Sequence, residues 1–211
     1  YKRGDHVNHF SDIKFDYIVH LAGKAHDKGA TWSDFEINNI NLTQDVVNLA
    51  DENTKIIYFS SAKVYGETSI KPLVENVALA AKKDYGVSKV KAEKIVQDSS
   101  LNYIIFRPSL VYSANAKGNL EALRKLARLG VPMPLNIYNR RSLVELEFLV
   151  KVTLLALQEK IKWNEVYNLS NLTVSTVDIF KLNGIKRFVP YPTFLLSVLP
   201  NKLKEKLLMS F

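Results

Sequence analysis

A chain of 211 residues, 47% hydrophobic and 24% charged, is long enough to bury one substantial core and a small second lobe. It contains no cysteine, which excludes a disulfide framework and cysteine-ligated zinc or iron–sulfur sites and is compatible with a reducing cytoplasm. The net charge of +8 favours anionic partners, but the basic residues are scattered and form no nucleic-acid motif, so we expect no nucleic-acid binding.

The spacing of apolar residues predicts alternating strands and helices. They are strand 15–22, helix 32–51, strand 55–61, helix 84–98, strand 102–107, helices 117–129 and 145–158, and strand 165–170. Asp84 is the expected N-cap of helix 84–98. Residues 68–83 form a long connection, of a length that is usually functional or mobile. This alternation predicts an α/β fold, a Rossmann-like doubly wound parallel sheet with a small C-terminal lobe.

Tyr85 and Lys89 carry the strongest chemical signal in the chain. Four residues apart on an α-helix, they lie on one face about one turn apart. A phenol is a poor base at neutral pH, but a neighbouring ammonium stabilises the phenolate and lowers the pKa of the phenol. The spacing alone is weak evidence for a catalytic role, because surface helices also carry such pairs for solubility.

The neighbouring strands strengthen the interpretation. Predicted strand 55–61 ends at Ser60-Ser61, and predicted strand 102–107 is followed by Pro108. In an open parallel sheet, ligands bind beyond the carboxyl ends of the strands. Ser61 and Pro108 are therefore expected where chemistry would occur.

Eight short motifs follow one another in a fixed order. They are His-Leu-Ala-Gly (20–23), Asn-Ile-Asn-Leu-Thr (39–43), Ser-Ser-Ala-Lys-Val-Tyr-Gly (60–66), Tyr-Gly-Val-Ser-Lys (85–89), Arg-Pro-Ser-Leu-Val-Tyr (107–112), Lys-Gly-Asn (117–119), Arg-Arg-Ser-Leu-Val (140–144) and Tyr-Asn-Leu-Ser (167–170). In this order they resemble the extended short-chain dehydrogenase/reductases, specifically the nucleotide-sugar epimerase/dehydratase family. The branch that resembles UDP-glucose or UDP-N-acetylglucosamine 4-epimerases is the most similar.

The resemblance implies a role for each matching residue. Tyr85 would be the catalytic base, Lys89 would also bind the nicotinamide ribose of NAD, and Ser61 would bind the sugar oxygen and relay its proton. The implied cofactor-binding residues are Ala22, Gly23, Asn39, Ser60, Tyr85, Lys89 and Pro108, and the implied substrate-binding residues are Ser61, Tyr65, Asn119 and Arg141.

Structural alternatives stay open for several of these residues. Ser61 could cap backbone at the strand end, Tyr65 could simply pack, and Arg141 could belong to a solvated pair. For Ala22 and Asn39 a purely structural role is equally compatible with the sequence. His6, His9, His20 and His26 show no metal-ligand spacing with acidic partners, so we assign no metal.

The implied reaction is NAD-dependent epimerisation at C4 of a UDP-linked hexose through a 4-keto intermediate, in surface polysaccharide biosynthesis. Dehydratases of the family place an acidic pair beside the threonine that replaces Ser61, whereas Ala62-Lys63 follow here. The resemblance also implies a homodimer formed by the helix of Tyr85 and the helix around Thr43. Rival interpretations are an NAD(P)H-dependent 4-keto-sugar reductase, an epimerase of lipid-diphosphate sugars, and a cofactor-free binding module.

The sequence departs from the family at its beginning. The family opens with a strand, a Gly-rich turn and a helix whose N-terminus holds the dinucleotide pyrophosphate, and no such motif lies near Tyr1. Residues 1–135 are thus expected to form the NAD-binding core without this βαβ unit, and residues 136–211 a substrate-binding lobe interleaved with it. Three explanations are open: a fragment or mis-started reading frame, an omitted preceding segment, or a decayed relative without cofactor. The intact catalytic residues favour the first two.

Two further departures lie downstream. Ser113-Ala114-Asn115 stands where the family often has Gly-Pro-Gly, and the helix and strand expected after Asn171 are compressed into residues 172–188. Residues 193–211 form a basic amphipathic stretch that could lie on a membrane surface, although such tails more often pack on their own domain. No apolar stretch approaches the ~18 residues of a membrane span, and the start lacks a signal-peptide pattern, so we expect a soluble cytoplasmic protein.

Overall fold

The structure is a computed structural model that describes residues 10, 13–25, 29–67, 72–113, 128–129, 133–134, 140–182 and 184–189. The chain divides into two compact units. The first combines Tyr1–Ser109 with Glu147–Leu169, and the second combines Leu110–Leu146 with Ser170–Phe211. The division expected from the sequence, at residue 135, stays a prediction.

The described elements follow one another in this order: β1 Tyr17–His20, α1 Trp32–Phe35, a π-helical segment Glu36–Asn41, α2 Leu42–Asn48, β2 Lys55–Phe59, a 3₁₀ turn Ala62–Tyr65, α3 Asp84–Asp98, β3 Asn102–Pro108, β4 Leu110–Tyr112, β5 Met133–Pro134, β6 Arg140–Glu145, α4 Leu146–Leu157, β7 Glu165–Leu169, β8 Leu172–Ser175, α5 Thr176–Leu182 and β9 Phe188–Val189. None of the helices in this part of the chain combines the length and the apolar character that a bilayer crossing needs.

A parallel sheet of four strands forms the centre of the first unit. Its strand order is β1-β2-β3-β7, and every neighbouring pair is parallel. The middle strands are apolar on both faces, since Ile56, Ile57, Ile104 and Ile105 have no exposed surface. Strands buried on both faces are typical of α/β proteins, in which helices cover the sheet. The predicted α/β, Rossmann-like fold class is confirmed.

One face of this sheet packs against α2 and α3. Ile56 and Tyr58 of β2 and Ile105 of β3 contact Ala92 and Val96 of α3, and Val46 and Val47 of α2 cover the same cluster. The burial of these side chains fixes which face of α3 points to the sheet. As a result, the N-terminal turns of α3 lie beside the carboxyl end of β2.

The second unit contains two small sheets. In the first, β4 is parallel to β6 and β6 is antiparallel to β8. In the second, β5 pairs with β9 in parallel. Residues 172–189 accommodate β8, α5 and β9, so a strand, a helix and a strand fit into the segment that the sequence indicated as compressed.

The structure corrects the expected cap of α3. Lys83, not Asp84, is the N-cap, with φ −86° and ψ 147° and no side-chain capping bond. Asp84 is instead the first helical residue, where a carboxylate interacts favourably with the positive end of the helix dipole. The single helix expected over residues 32–51 contains a π-helical segment in its middle. The expected helix 117–129, except for residues 128 and 129, and the stretch 193–211 lie outside the described residues.

Candidate active site

Gly86 brings the start of α3 against the turn that follows β2. A Cβ atom at this position would lie 2.7 Å from the carbonyl oxygen of Lys63 and 2.9 Å from Cβ of Ala81. Only glycine permits that approach. Tyr85, one residue earlier, is thereby held close to the 3₁₀ turn that begins after Ser61.

Lys89 lies at the carboxyl end of β2 as a buried ammonium. Its side chain reaches from α3 to the sheet, where Nζ donates to the backbone oxygen of Phe59 at 2.9 Å and to the hydroxyl of Tyr58 at 3.1 Å. Burial lowers the pKa of Lys89 to about 8, and the negative charge of Glu93 opposes this shift. Lys89 is thus a cation held in a site where its charge is weakly screened.

Tyr85 lies half-buried on the same face of α3. Its ring is 6.2 Å from the ring of Phe35 in α1, and its backbone oxygen accepts a hydrogen bond from Ser88 Oγ at 2.8 Å. Burial raises the pKa of Tyr58 well above its usual value, and the charges of Glu93 and Tyr85 raise it further. Tyr85 and Lys89 thus lie one helical turn apart on α3, and the Lys89 ammonium reaches the hydroxyl of Tyr58.

Ser61 caps the 3₁₀ turn. Its backbone is extended, with φ −160° and ψ 148°, and its Oγ accepts from the backbone N–H of Lys63 at 3.2 Å. The capping role that the sequence left open is thus present. Because a hydroxyl that accepts one bond still has its own proton to donate, capping is compatible with a contact to a sugar oxygen. That contact stays a prediction.

Asn39 joins the loop after β1 to α3. Its Oδ1 accepts from the backbone N–H of Lys24 at 2.7 Å, while Nδ2 donates to Lys24 O at 3.1 Å and to Ser88 Oγ at 2.8 Å. The residue is buried within the π-helical segment. Asn39 therefore fixes the loop after β1 that contains Ala22, which is half-buried, and Gly23, which is exposed.

The strand ends leave polar groups and space of the kind that a dinucleotide would use. Ser60 Oγ is buried and has no hydrogen-bond partner among the described residues. At Gly23 a Cβ would lie 2.9 Å from Asn39 Oδ1 and 3.5 Å from Lys89 Nζ. An ammonium has three N–H donors, and the described residues accept two from Lys89. These groups fit the hydroxyls and amide of a nicotinamide riboside, and Pro108 ends the adjoining strand β3.

Tyr65 belongs to a buried hydrogen-bond network that the sequence did not reveal. Its hydroxyl accepts from Arg107 Nη1 at 2.6 Å and donates to Asn168 Oδ1 at 2.9 Å. Arg107 also forms two hydrogen bonds with the carboxylate of Glu93, at 2.7 and 3.0 Å. The structure thus gives Tyr65 the packing role that the sequence left open, and a substrate contact for it stays a prediction. The only sequence signal for Glu93 is its place one turn beyond Lys89.

Arg141 and Asn119 are the two remaining candidates for substrate binding. Arg141 is a half-buried residue of β6, in the second unit, and burial lowers the pKa of its guanidinium. Asn119 lies outside the described residues. Roles for both in diphosphate binding stay predictions.

Sequence and structure comparisons place the chain among known proteins. It is similar to the UDP-glucose 4-epimerase of Vibrio cholerae, with 33% identity over 183 residues that cover 78% of this chain and 55% of the relative. It is also similar to the dTDP-4-dehydrorhamnose reductase of Shigella flexneri, with 28% identity over 119 residues that cover 55% of this chain and 40% of the relative. The chain spans about half the length of these curated relatives.

The fold has close counterparts among solved structures. The UDP-glucuronic acid 4-epimerase from Bacillus cereus, solved in complex with NAD, has a TM-score of 0.71 and 22% identity, covering 89% of this chain and 66% of that one. At this identity the likeness establishes the fold alone. The family model described as the NAD dependent epimerase/dehydratase family matches residues 2–170. The family resemblance inferred from the motifs is thereby confirmed, and the chain belongs to the NAD dependent epimerase/dehydratase family.

Proposed function

We propose that the protein catalyses the NAD-dependent epimerisation of a UDP-linked hexose at C4 through a 4-keto intermediate. The observation that carries this proposal is the buried ammonium of Lys89 at the carboxyl end of β2, one helical turn from Tyr85 on α3. A phenol and a buried ammonium in that position are suited to remove a proton from a hydroxyl group. The similarity to a UDP-glucose 4-epimerase supports the same chemistry.

The cofactor would be held by residues at the ends of β1, β2 and β3. They are Ala22, Gly23, Asn39, Ser60, Tyr85, Lys89 and Pro108. Bound NAD would supply the hydride acceptor and donor that epimerisation at an unactivated carbon requires. The family description and the fit of Ser60, Gly23 and Lys89 support this assignment.

The side chains of this chain would move the proton. The Tyr85 phenolate takes the proton of the C4 hydroxyl, and it returns that proton to the C4 oxygen after the ketone has presented its other face. The Lys89 ammonium stabilises the phenolate. Ser61 donates a hydrogen bond to the same sugar oxygen and relays the proton. Arg141 and Asn119 bind the substrate diphosphate, for which a guanidinium offers paired hydrogen bonds.

The test uses the purified full-length protein with NAD and UDP-glucose or UDP-N-acetylglucosamine. We expect interconversion with the galacto-configured epimer, followed by NMR of the anomeric protons. Tyr85→Phe should lower kcat by a factor of about 10² to 10⁴, because it removes the proton acceptor and keeps the ring. Tyr167→Phe is the matched control, since that hydroxyl bonds only Lys162 O among the described residues, outside the site. A Tyr85→Phe protein with unchanged kcat would refute the proposal.

A reductase is the second candidate, and the similarity to a dTDP-4-dehydrorhamnose reductase favours it. An epimerase returns its hydride to the substrate, whereas a reductase oxidises one NADH or NADPH for each product formed. Loss of nicotinamide absorbance in step with product, on a 4-keto sugar, would therefore identify a reductase. The epimerisation assay, repeated with a lipid-diphosphate hexose in place of the UDP-sugar, identifies an epimerase that acts on lipid-linked sugars.

We further propose a cytoplasmic homodimer that acts in polysaccharide biosynthesis. Ile37 of the π-helical segment is 57% exposed, and Val87 and Val90 of α3 are half-buried, so the two helical segments expected at the interface carry apolar surface. Analytical sedimentation tests this proposal. The wild-type full-length protein should sediment as a dimer, and Ile37→Asp should sediment as a monomer.

A further inference from the structure

Buried polar side chains lie behind Lys89, and the proposed reaction does not use them. Tyr58 and Thr43 have no exposed surface, and His20 is 4% exposed. The Tyr58 ring packs in the core with Ile56, Ala92 and Val96, where a phenylalanine would fit equally well. A buried hydroxyl costs free energy unless it is hydrogen-bonded, so the Tyr58 hydroxyl needs an explanation other than packing.

The direction of the bond between Lys89 and Tyr58 follows from the chemistry of the two groups. An ammonium can only donate, so the Tyr58 hydroxyl oxygen accepts from Lys89 Nζ at 3.1 Å. Thr43 and His20 bond to each other beside this pair. Thr43 Oγ1 lies 2.5 Å from the backbone oxygen of Asn39, which can only accept, so the Thr43 oxygen accepts from His20 Nε2 at 2.9 Å.

Among the described residues, Tyr58 is the side-chain acceptor of Lys89, because the other charged groups nearby are engaged elsewhere or neutral. Glu93 lies one turn further on α3, but Arg107 engages both oxygens of its carboxylate. His20 of β1 remains neutral, because burial and the charge of Lys89 lower the pKa of its imidazole to about 4. Tyr85 of α3 is the group that Lys89 is proposed to activate.

We propose that Tyr58 is the positioning residue that holds the Lys89 ammonium at the carboxyl end of β2 within reach of Tyr85. The catalytic meaning of this placement rests on the proposed function. Without the Tyr58 hydroxyl, Lys89 keeps one described acceptor, the Phe59 carbonyl, and the ammonium loses a charge-assisted hydrogen bond.

The test follows the titration of Lys89 itself. Protein carrying ¹³C at the lysine Cε positions is titrated by NMR, and the Lys89 resonance is assigned with Lys89→Met. The wild-type midpoint is expected near the pKa of about 8. In Tyr58→Phe the affinity of Lys89 for its proton should fall about tenfold, because the charged form loses an acceptor. A Tyr58→Phe protein whose Lys89 proton affinity lies within twofold of the wild-type value would overturn the proposal.

Two further variants complete the experiment. Tyr58→Met also removes the hydroxyl but fills the core with a flexible apolar side chain, so it should weaken the proton affinity of Lys89 by about the same factor as Tyr58→Phe. It gives an independent answer if Tyr58→Phe does not fold, and an unchanged Lys89 midpoint in Tyr58→Met would then count against the proposal. Tyr167→Phe removes a hydroxyl that bonds Lys162 O and should leave the Lys89 midpoint unchanged.

Activity adds a readout that separates this inference from the proposed function. Tyr58→Phe should lower kcat at least tenfold with KM nearly constant, since it disturbs the base and not the sugar contacts. If the wild-type protein converts no nucleotide sugar, the proposed function fails, while the Lys89 titration still decides whether Tyr58 positions the ammonium.

Discussion

The side chain of Lys89 is ionisable and yet buried. It is 5% exposed, and burial lowers its pKa from 10.5 to about 8, a difference that corresponds to about 3 kcal/mol. We predict that Lys89→Met abolishes epimerisation. It should also raise the free energy of unfolding at pH 7 by up to about 3 kcal/mol, reduced by the free energy of the hydrogen bonds that Phe59 O and Tyr58 lose. Denaturant unfolding combined with the activity assay checks both parts.

The pH dependence gives this prediction a second check. Below pH 8 the folded and unfolded wild-type proteins both carry the Lys89 proton, and above it the folded state releases that proton first. Wild-type stability should therefore rise between about pH 8 and 10.5, and the advantage of Lys89→Met should shrink there. Lys94→Met, at an exposed position of the same helix, should change stability by less than about 0.5 kcal/mol. A Lys89→Met protein less stable than wild type at pH 7 would contradict the prediction.

At the scale of the element, the packing of α3 against the 3₁₀ turn depends on the absence of a side chain at Gly86. Alanine is preferred over glycine inside a helix by about 1 kcal/mol, so Gly86→Ala would stabilise an isolated α3. In the folded protein its Cβ would lie 2.7 Å from a backbone oxygen, and α3 would have to move away from the 3₁₀ turn. We predict a net loss of about 1–3 kcal/mol in unfolding free energy and a lower kcat, because Tyr85 moves with the helix.

The exposed α3 position Gln97 supplies the control for this prediction. Gln97→Ala should leave both stability and kcat close to wild type, since both residues are good helix formers. Gly86→Ala with wild-type kcat would show that the position of α3 tolerates the extra methyl group.

How much of this architecture is predictable from sequence depends on how local its causes are. The apolar runs of β2 and β3 and the Tyr85-Lys89 spacing lie within single elements, and the boundaries of α3 were predicted correctly apart from its cap. Strands β4, β6 and β8 were not predicted, because each is short and is stabilised by pairing with segments distant in sequence. The hydrogen-bond partner of Tyr58 is likewise distant, since Lys89 follows it by 31 residues.

At the scale of the whole molecule, one buried imidazole should make global stability depend on pH. Burial, and then the charge of Lys89, lower the pKa of His20 from 6.5 to about 4, so between these values the unfolded chain binds a proton that the folded protein does not. Stability is therefore fully present above about pH 6.5 and falls as the pH drops to 4, by about 3 kcal/mol for this group. Urea unfolding at a series of pH values measures the slope.

Replacement of the imidazole isolates its contribution. His20→Asn keeps an N–H donor for Thr43 but cannot gain a charge, so its stability should decline less steeply between pH 6.5 and 4. Equal slopes in the two proteins would show that other groups cause the acid sensitivity.

The π-helical segment constrains how this protein can change length. The N–H of Leu42 bonds the oxygen of Ile37, five residues back, so this turn contains one residue more than a regular α-helical turn. The wide turn absorbs that residue without rotating the helix that follows. A further residue inserted between Asn39 and Thr43 would instead rotate α2 by about 100° relative to the segment before it. Asn39 and Thr43 could then no longer face Lys24 and His20 together. Chimeras between related chains should therefore not lengthen this segment, even where its side chains differ.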